Sequence, residues 1–184
     1  MSSNIWVISD THFGHDNIIK YCERPFKDSA EMDEYILESW NSVVKPGDKV
    51  YHLGDVYFGQ RMRKGEGAWG NFFSRLNGHK RLILGNHDDG KDQNLLNTFN
   101  KIMIWRMFPE FGLLLTHVPV HPSALRRSDK GNDKNPPMLK NIHGHIHNNF
   151  VMIGDSQVQD KRYQNVCVEK TKYTPVNIED LRTK

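Results

Sequence analysis

Five short apolar runs in this chain each stop at Asp, His or Asn, and that repetition constrains the fold more than any bulk property. The clearest is Leu82-Ile83-Leu84-Gly85-Asn86-His87-Asp88, three apolar residues followed by a glycine, an amide, an imidazole and a carboxylate. A run of this kind reads as a buried strand whose carboxyl end opens onto polar chemistry. Ile5-Trp6-Val7-Ile8 ends the same way at Ser9-Asp10-Thr11-His12, and Lys49-Val50-Tyr51-His52-Leu53 ends at Gly54-Asp55. Gly112-Leu113-Leu114-Leu115 runs into Thr116-His117, and Leu139-Lys140-Asn141-Ile142-His143 into Gly144-His145-Ile146-His147.

The residue types at these ends are metal donors and proton carriers. Asn86 offers a hard carbonyl oxygen, His87 a nitrogen that binds a metal or moves a proton, and Asp88 a carboxylate able to hold the His87 ring in one tautomer. Asp10 and His12 are two apart, as are His145 and His147, so in extended segments each pair leaves one face. The alternative for the first pair is that Asp10 caps a turn and His12 is incidental. Asp10, His12, Asp55, Asn86, His117, His145 and His147 make seven donors. One catalytic metal takes roughly three protein ligands. Seven donors with one shared carboxylate suit two metals, which in hydrolases sit about 3.5–4 Å apart. His52 lies inside its strand and reads as a packed histidine, and His121 follows a different turn.

Between the strands, helical spacing predicts a helix from Asp28, through Met32, Ile36, Trp40 and Val43, to Pro46-Gly47. Asp28 and Glu31 form an Asx version of the capping box. Shorter helices are expected around Ile18–Tyr21, from Trp69 to Asn77-Gly78, around Leu95–Phe99 and after Asn177. Further strands are expected at Ile102–Trp105, Phe150–Ile153 and Tyr163–Val168. Residues 59–67, with Arg61, Arg63 and Lys64, read as a solvated basic loop, bordering a phosphate site being the alternative, and residues 126–137 as a polar loop able to move over a site. His15 and Arg24 are candidates for phosphate contact, a solvated loop histidine and an ordinary surface arginine being the alternatives.

The remaining numbers exclude whole classes. Charged residues are 26% and apolar residues 37% of 184, which argues against wholesale disorder. A net charge of +3 does not by itself argue for nucleic acid. Cys22 and Cys167 share no metal-type spacing and read as free thiols of a reducing, cytoplasmic compartment. The amino-terminal residues lack a charged and apolar leader pattern, and no run approaches a membrane span. No repeat or linker divides the chain, so one domain over residues 1–184 is expected.

As a set, Asp10-x-His12, Gly54-Asp55, Gly85-Asn86-His87-Asp88, His117 and Gly144-His145-x-His147 resemble the calcineurin-like metallophosphoesterases in order and rough spacing. The small size resembles the compact bacterial and phage-type members. The resemblance implies an α/β fold, a four-layer α/β/β/α sandwich of two mixed sheets flanked by helices, with the metal site on strand-end loops. It implies that Asp10, His12, Asp55 and His147 hold one metal, and that Asp55, Asn86, His117 and His145 hold the second, Asp55 bridging. It places His87 near the leaving oxygen as general acid with Asp88 orienting it. The cofactors it implies are two divalent ions, Mn²⁺ foremost, with Fe²⁺, Zn²⁺, Ni²⁺ or Co²⁺ compatible with the same donors. Such a pair lowers the pKa of a shared water and neutralises phosphoryl charge.

The expected activity is therefore phosphodiester hydrolysis on a small or nucleotide-like substrate, a cyclic nucleotide included. A phosphomonoesterase or nuclease on the same site is the nearest alternative. The nuclease reading lacks a long basic stripe or interleaved aromatics. A non-catalytic scaffold has no reason to keep every donor and the acid together.

Overall fold

Adjacent residues of the first three strands bury their side chains on opposite sides, which accounts for their unbroken apolar character. The computed structural model describes residues 3–59, 69–126 and 139–182. Its elements run β1 (Ile5–Ile8), α1 (Asp16–Tyr21), α2 (Ser29–Val43), β2 (Lys49–His52), α3 (Trp69–Ser74), β3 (His79–Ile83), α4 (Gln93–Thr98), β4 (Lys101–Met103), β5 (Trp105–Phe108), β6 (Leu113–Thr116), β7 (Lys140–His143), β8 (Tyr163–Asn165), β9 (Val176–Asn177) and α5 (Ile178–Leu181). One sheet has the order β4-β3-β2-β1-β9 and the other β5-β6-β7-β8. Both are mixed, since β9 and β5 pair antiparallel to otherwise parallel neighbours.

Ile8, Val50 and Leu82 face the helices and pack with Met32, Ile36, Trp40, Phe72 and Phe73. Val7, Tyr51 and Ile83, one residue away on the same strands, face the second sheet and pack with Leu113, Leu115 and Ile142. Strands covered on both faces lose the polar alternation of a half-exposed sheet. Each fully buried side chain of this size contributes about 1.5–3 kcal/mol of burial free energy. The outer face of the second sheet carries a smaller cluster of Leu114, Leu125, Leu139 and Tyr163. Among the described residues, its cover is a 3-10 turn at Pro122–Leu125 together with loops. The result is an α/β fold of two mixed sheets with flanking helices.

Register decides where chemistry collects. Ile8 pairs with His52, and His52 with Leu82, so β1, β2 and β3 end level with one another. β6 and β7 are likewise aligned, Leu115 opposite Ile142. The loops carrying Asp10, Asp55, Asn86, His117 and His145 consequently leave one edge of the two packed sheets.

The α2 cap is as the sequence indicates, with Asp28 accepting from the Glu31 N–H at 2.9 Å. Three local expectations are corrected. The Ile102–Trp105 stretch is two strands in different sheets, β4 and β5, broken at Ile104. Residues 150–153 form no strand, only an isolated bridge from Met152 to Gln159. The strand at 163 stops at Asn165 because Asn165 Oδ1 accepts from the Cys167 N–H and turns the chain. Apart from Gly59 and Arg126, the loops of residues 59–67 and 126–137 lie outside the described residues. Among the described residues no helix is long and apolar enough to cross a membrane.

Candidate metal centre

Past the ends of their strands the donor residues leave extended geometry altogether. Asp10, His12, Asp55, His145 and His147 have φ of 58°, 49°, 55°, 69° and 46°. The expectation that each His or Asp pair shares a face through strand alternation is therefore corrected. The backbone turns left-handed at these five of the seven donors, a conformation costly for residues with a Cβ and concentrated at functional sites. Close packing holds it there. A Cβ added at Gly85 would lie 2.2 Å from Asp55 Oδ1, and one at Gly144 would lie 2.1 Å from Asp10 Oδ2. The glycines of both motifs thus let a carboxylate lie directly against the neighbouring main chain.

Two groups of donors result, Asp10 with His12 and His147, and Asp55 with His117 and His145. Asp55 Oδ2 stands between them, 3.6 Å from His12 Nε2 and 3.5 Å from His117 Nε2. Asp10 Oδ1 is 4.0 Å from His12 Nε2 and 3.8 Å from His147 Nε2. Asn86 Oδ1 reaches His117 Nε2 at 2.9 Å.

The surroundings prepare these atoms for a cation. His117 Nδ1 lies 2.7 Å from the Leu53 carbonyl and its Nε2 lies 2.9 Å from Asn86 Oδ1, both acceptors; with the proton on Nδ1, Nε2 and Asn86 Oδ1 would be two lone-pair donors side by side. His147 Nδ1 donates to Glu169 Oε1 at 3.0 Å and leaves its Nε2 toward Asp10. His12 is buried with neither ring nitrogen hydrogen-bonded. Burial first, then Arg24 and the neighbouring imidazoles, push the His12 imidazolium down to about 2, so the ring is neutral. A neutral, buried, unpartnered imidazole between two carboxylates has the donor chemistry of a divalent-metal site.

Asp10 is shaped from outside the motif. Its Oδ2 accepts from Ser9 Oγ, from the His145 N–H at 2.9 Å and from Cys167 Sγ at 3.2 Å. Burial, then Asp10 and Glu169, push the Cys167 thiol up, which keeps it a donor. Both cysteines are free and buried.

Two roles read from the sequence are corrected. Arg24 does not present its guanidinium to a phosphate. It is buried, with Nε and Nη2 on Glu169 Oε1 at 2.9 and 2.7 Å, Nη1 on Thr11 O and Nη2 on Asp10 O. A buried cation has to spend its donors on acceptors of this kind. Asp88 does not hold the His87 ring. Its carboxylate accepts from the N–H groups of Gly85, Asp55 and Val56 at 2.8, 2.9 and 3.0 Å. Asp88 thus clamps the loop bearing Asn86 and His87 to the loop bearing Asp55, and acts as a positioning residue.

His87 is exposed, with its N–H on Asp55 Oδ1 at 3.0 Å and its ring 5.7 Å from that of His12. His15 stacks on Phe58 with ring centroids 4.2 Å apart, and its Nδ1 is buried without a partner. His12, His15, His87 and His147 share the wall of a cavity of about 600 Å³. His52 is packed as expected, its Nε2 3.0 Å from Thr11 Oγ1, while His121 stays outside and meets Ser123.

Sequence reasoning missed Glu169 and the buried roles of the cysteines. Glu169 lies 22 residues beyond His147, outside every motif. Burial opposes its charge, but His147 and Arg24 prevail and hold the carboxyl down at about 2. A charged Glu169 both orients His147 and raises its basicity. Glu169→Gln is expected to weaken metal affinity by about 10–100-fold, measured by competitive chelation.

The buried histidines also set an acid limit. Burial first, then His117, lowers His52 to about 3; burial first, partly offset by the Gly144 carbonyl, lowers His143 to about 4. The unfolded chain takes up these protons near 6.5, so their neutral forms favour folding fully above that pH. Stability then falls as pH drops from about 6.5 toward 4, by up to about 1.4 kcal/mol per unit and per histidine. Urea midpoints at pH 7 and pH 5 check this, with a shallower fall expected in His52→Gln.

Two sheets flanked by helices, with imidazoles, carboxylates and an amide gathered at their strand ends, are the frame of a metal-dependent phosphoesterase. The chain belongs to the calcineurin-like phosphoesterase family, whose model matches residues 3–156. It is 32% identical to an uncharacterized protein of Methanocaldococcus jannaschii, over 95% of this chain and 87% of that one. The Gene 66 protein of Mycobacterium phage L5 is 31% identical, over 82% and 80% of the two chains. Among solved structures, a protein of unknown function from Aquifex aeolicus superposes with a TM-score of 0.70, at 28% identity and 98% coverage of both. Metal-dependent phosphoester hydrolysis is the chemistry of the family.

Proposed function

We propose that this protein is a phosphodiesterase with a dinuclear divalent-metal centre, acting on small or nucleotide-like phosphodiesters. The observation that carries the reading is Asp55 Oδ2, 3.6 and 3.5 Å from an imidazole nitrogen of each donor group. A carboxylate so placed would be available to a cation in either donor group. Asp10, His12, Asp55 and His147 would hold one ion, and Asp55, Asn86, His117 and His145 the other. Imidazole, carboxylate and amide oxygen suit Mn²⁺ well, with Fe²⁺, Zn²⁺, Ni²⁺ or Co²⁺ as competitors for the same donors. When bound, the two ions supply an activated water and neutralise charge that builds on the phosphoryl oxygens.

The rest is done by the chain. Asp88 and Asp55 hold the loop of His87, and His87 delivers a proton to the leaving oxygen from the open side of the site. His15, whose ring lines the same cavity, hydrogen-bonds a substrate oxygen. The two buried free thiols suit a reducing, cytoplasmic setting.

The test is hydrolysis of bis(p-nitrophenyl) phosphate and p-nitrophenyl phosphate by metal-stripped protein, with and without added Mn²⁺. Diester turnover that returns with the metal supports the reading. Monoester turnover alone would make the protein a phosphatase, and binding of two ions without turnover of either compound would favour a scaffold.

A further inference from the structure

A second cavity includes Asn86 and His117 in its wall. It has a volume of about 540 Å³, and the wall also includes Leu84, Ile104, Trp105, Met107, Leu114 and Val118. Three of these side chains are unusually open for large apolar groups, Ile104 at 75%, Trp105 at 58% and Val118 at 44% exposure. Exposed apolar surface gathered around one concavity marks a binding site more often than chance exposure. Thr116 also lies on the wall, but its hydroxyl donates to the Val118 carbonyl and accepts from Asn141 Nδ2. Among the described residues the wall carries no Asp, Glu, Lys or Arg, and its side-chain polar groups are Asn86, Thr116, His117 and the Trp105 indole N–H. A group with many hydrogen-bonding edges would lose its water there without replacement.

Position adds direction to this chemistry. Asn86 and His87 are consecutive, yet Asn86 belongs to the apolar wall while His87 faces the cavity it shares with His12, His15 and His147. A phosphoester centred at the donor cluster accordingly has one arm toward the proton donor and another toward Trp105. We infer that the apolar cavity is a subsite for an uncharged aryl or alkyl group on the retained ester of the diester substrate, the leaving group lying on the His87 side. The inference rests on the phosphodiesterase reading and narrows its substrates to diesters bearing one apolar arm.

The experiment compares p-nitrophenyl benzyl phosphate with p-nitrophenyl methyl phosphate, which share a leaving group and differ only in the retained arm. Wild type, Trp105→Ala and Ile104→Ser are assayed with Mn²⁺. The benzyl ester is expected to have a kcat/KM about tenfold or more above the methyl ester. That ratio is expected to fall toward one in Trp105→Ala and partway in Ile104→Ser, the larger loss falling on the benzyl ester. Calorimetric titration with benzylphosphonate and methylphosphonate reads the same preference without turnover. Equal handling of benzyl and methyl compounds by wild type overturns the subsite. Equal losses on both esters in Trp105→Ala overturn the assignment to the retained arm. A Trp105→Ala variant that keeps the benzyl preference overturns the subsite, and a smaller solution mass than wild type would make this face an interface between copies instead. Absence of turnover on either diester, with benzylphosphonate still preferred, supports the subsite and removes the phosphodiesterase reading alone.

Discussion

Asp55→Ala is expected to bind at most one divalent ion and to lose at least about 10³-fold in diester turnover, since a shared ligand carries several kcal/mol of charge stabilisation. The size of the effect comes from position. Asp55 Oδ2 is within 3.6 Å of His12 Nε2 and 3.5 Å of His117 Nε2, so no other described carboxylate replaces it for both groups. Its Oδ1 meanwhile accepts from the His87 N–H at 3.0 Å, and the truncation also loosens the loop of His87. Asp55→Asn separates the two losses. An amide keeps the acceptor for His87 but drops the anionic charge, so metal content should fall while the fold is retained. Metal analysis beside the rate decides the matter: two ions still bound in both variants would exclude Asp55 as the bridge.

The second large effect is expected at His87. His87→Ala should lower turnover by about 10²–10⁴-fold on a substrate with a poor leaving group, with metal content at the wild-type level. The ring is exposed on the open cavity and belongs to neither group of donors, which separates it from His12, only 5.7 Å away between ring centroids. A proton donor matters in proportion to the basicity of the departing oxygen. The loss should therefore shrink when the leaving group is p-nitrophenolate and grow when it is an alkoxide. A uniform loss across leaving groups, or loss of metal with the side chain, would make His87 a positioning residue or a ligand.

Legibility in the sequence followed the range of the forces involved. The buried strands and the α2 helix were readable because burial on both faces leaves unbroken apolar runs and burial on one leaves a period of 3.6. The donors were readable as residue types because each falls directly after such a run. Arg24 shows the other side. One arginine in a loop looks like any other, and only the return of Glu169 from the far end of the chain turns it inward, 145 residues away. Asp88 is similar, since the amides it clamps belong to Gly85 beside it and to Asp55 and Val56 on another loop.

By itself, then, the sequence determined the ends of the donor-bearing runs, the α2 cap and the chemistry of the donors, all set by neighbours a few residues away. Which donors share a group, which carboxylate stands between the groups and what orients each ring were decided by the tertiary structure. The level ends of β1, β2 and β3 and the aligned ends of β6 and β7 bring separate loops to one edge. Left-handed backbone at Asp10, His12, Asp55, His145 and His147 then takes five of the seven donors out of the strand direction, a conformation uncommon for residues with a Cβ. Contacts across the whole chain hold it in place, so it cannot be read from any one segment.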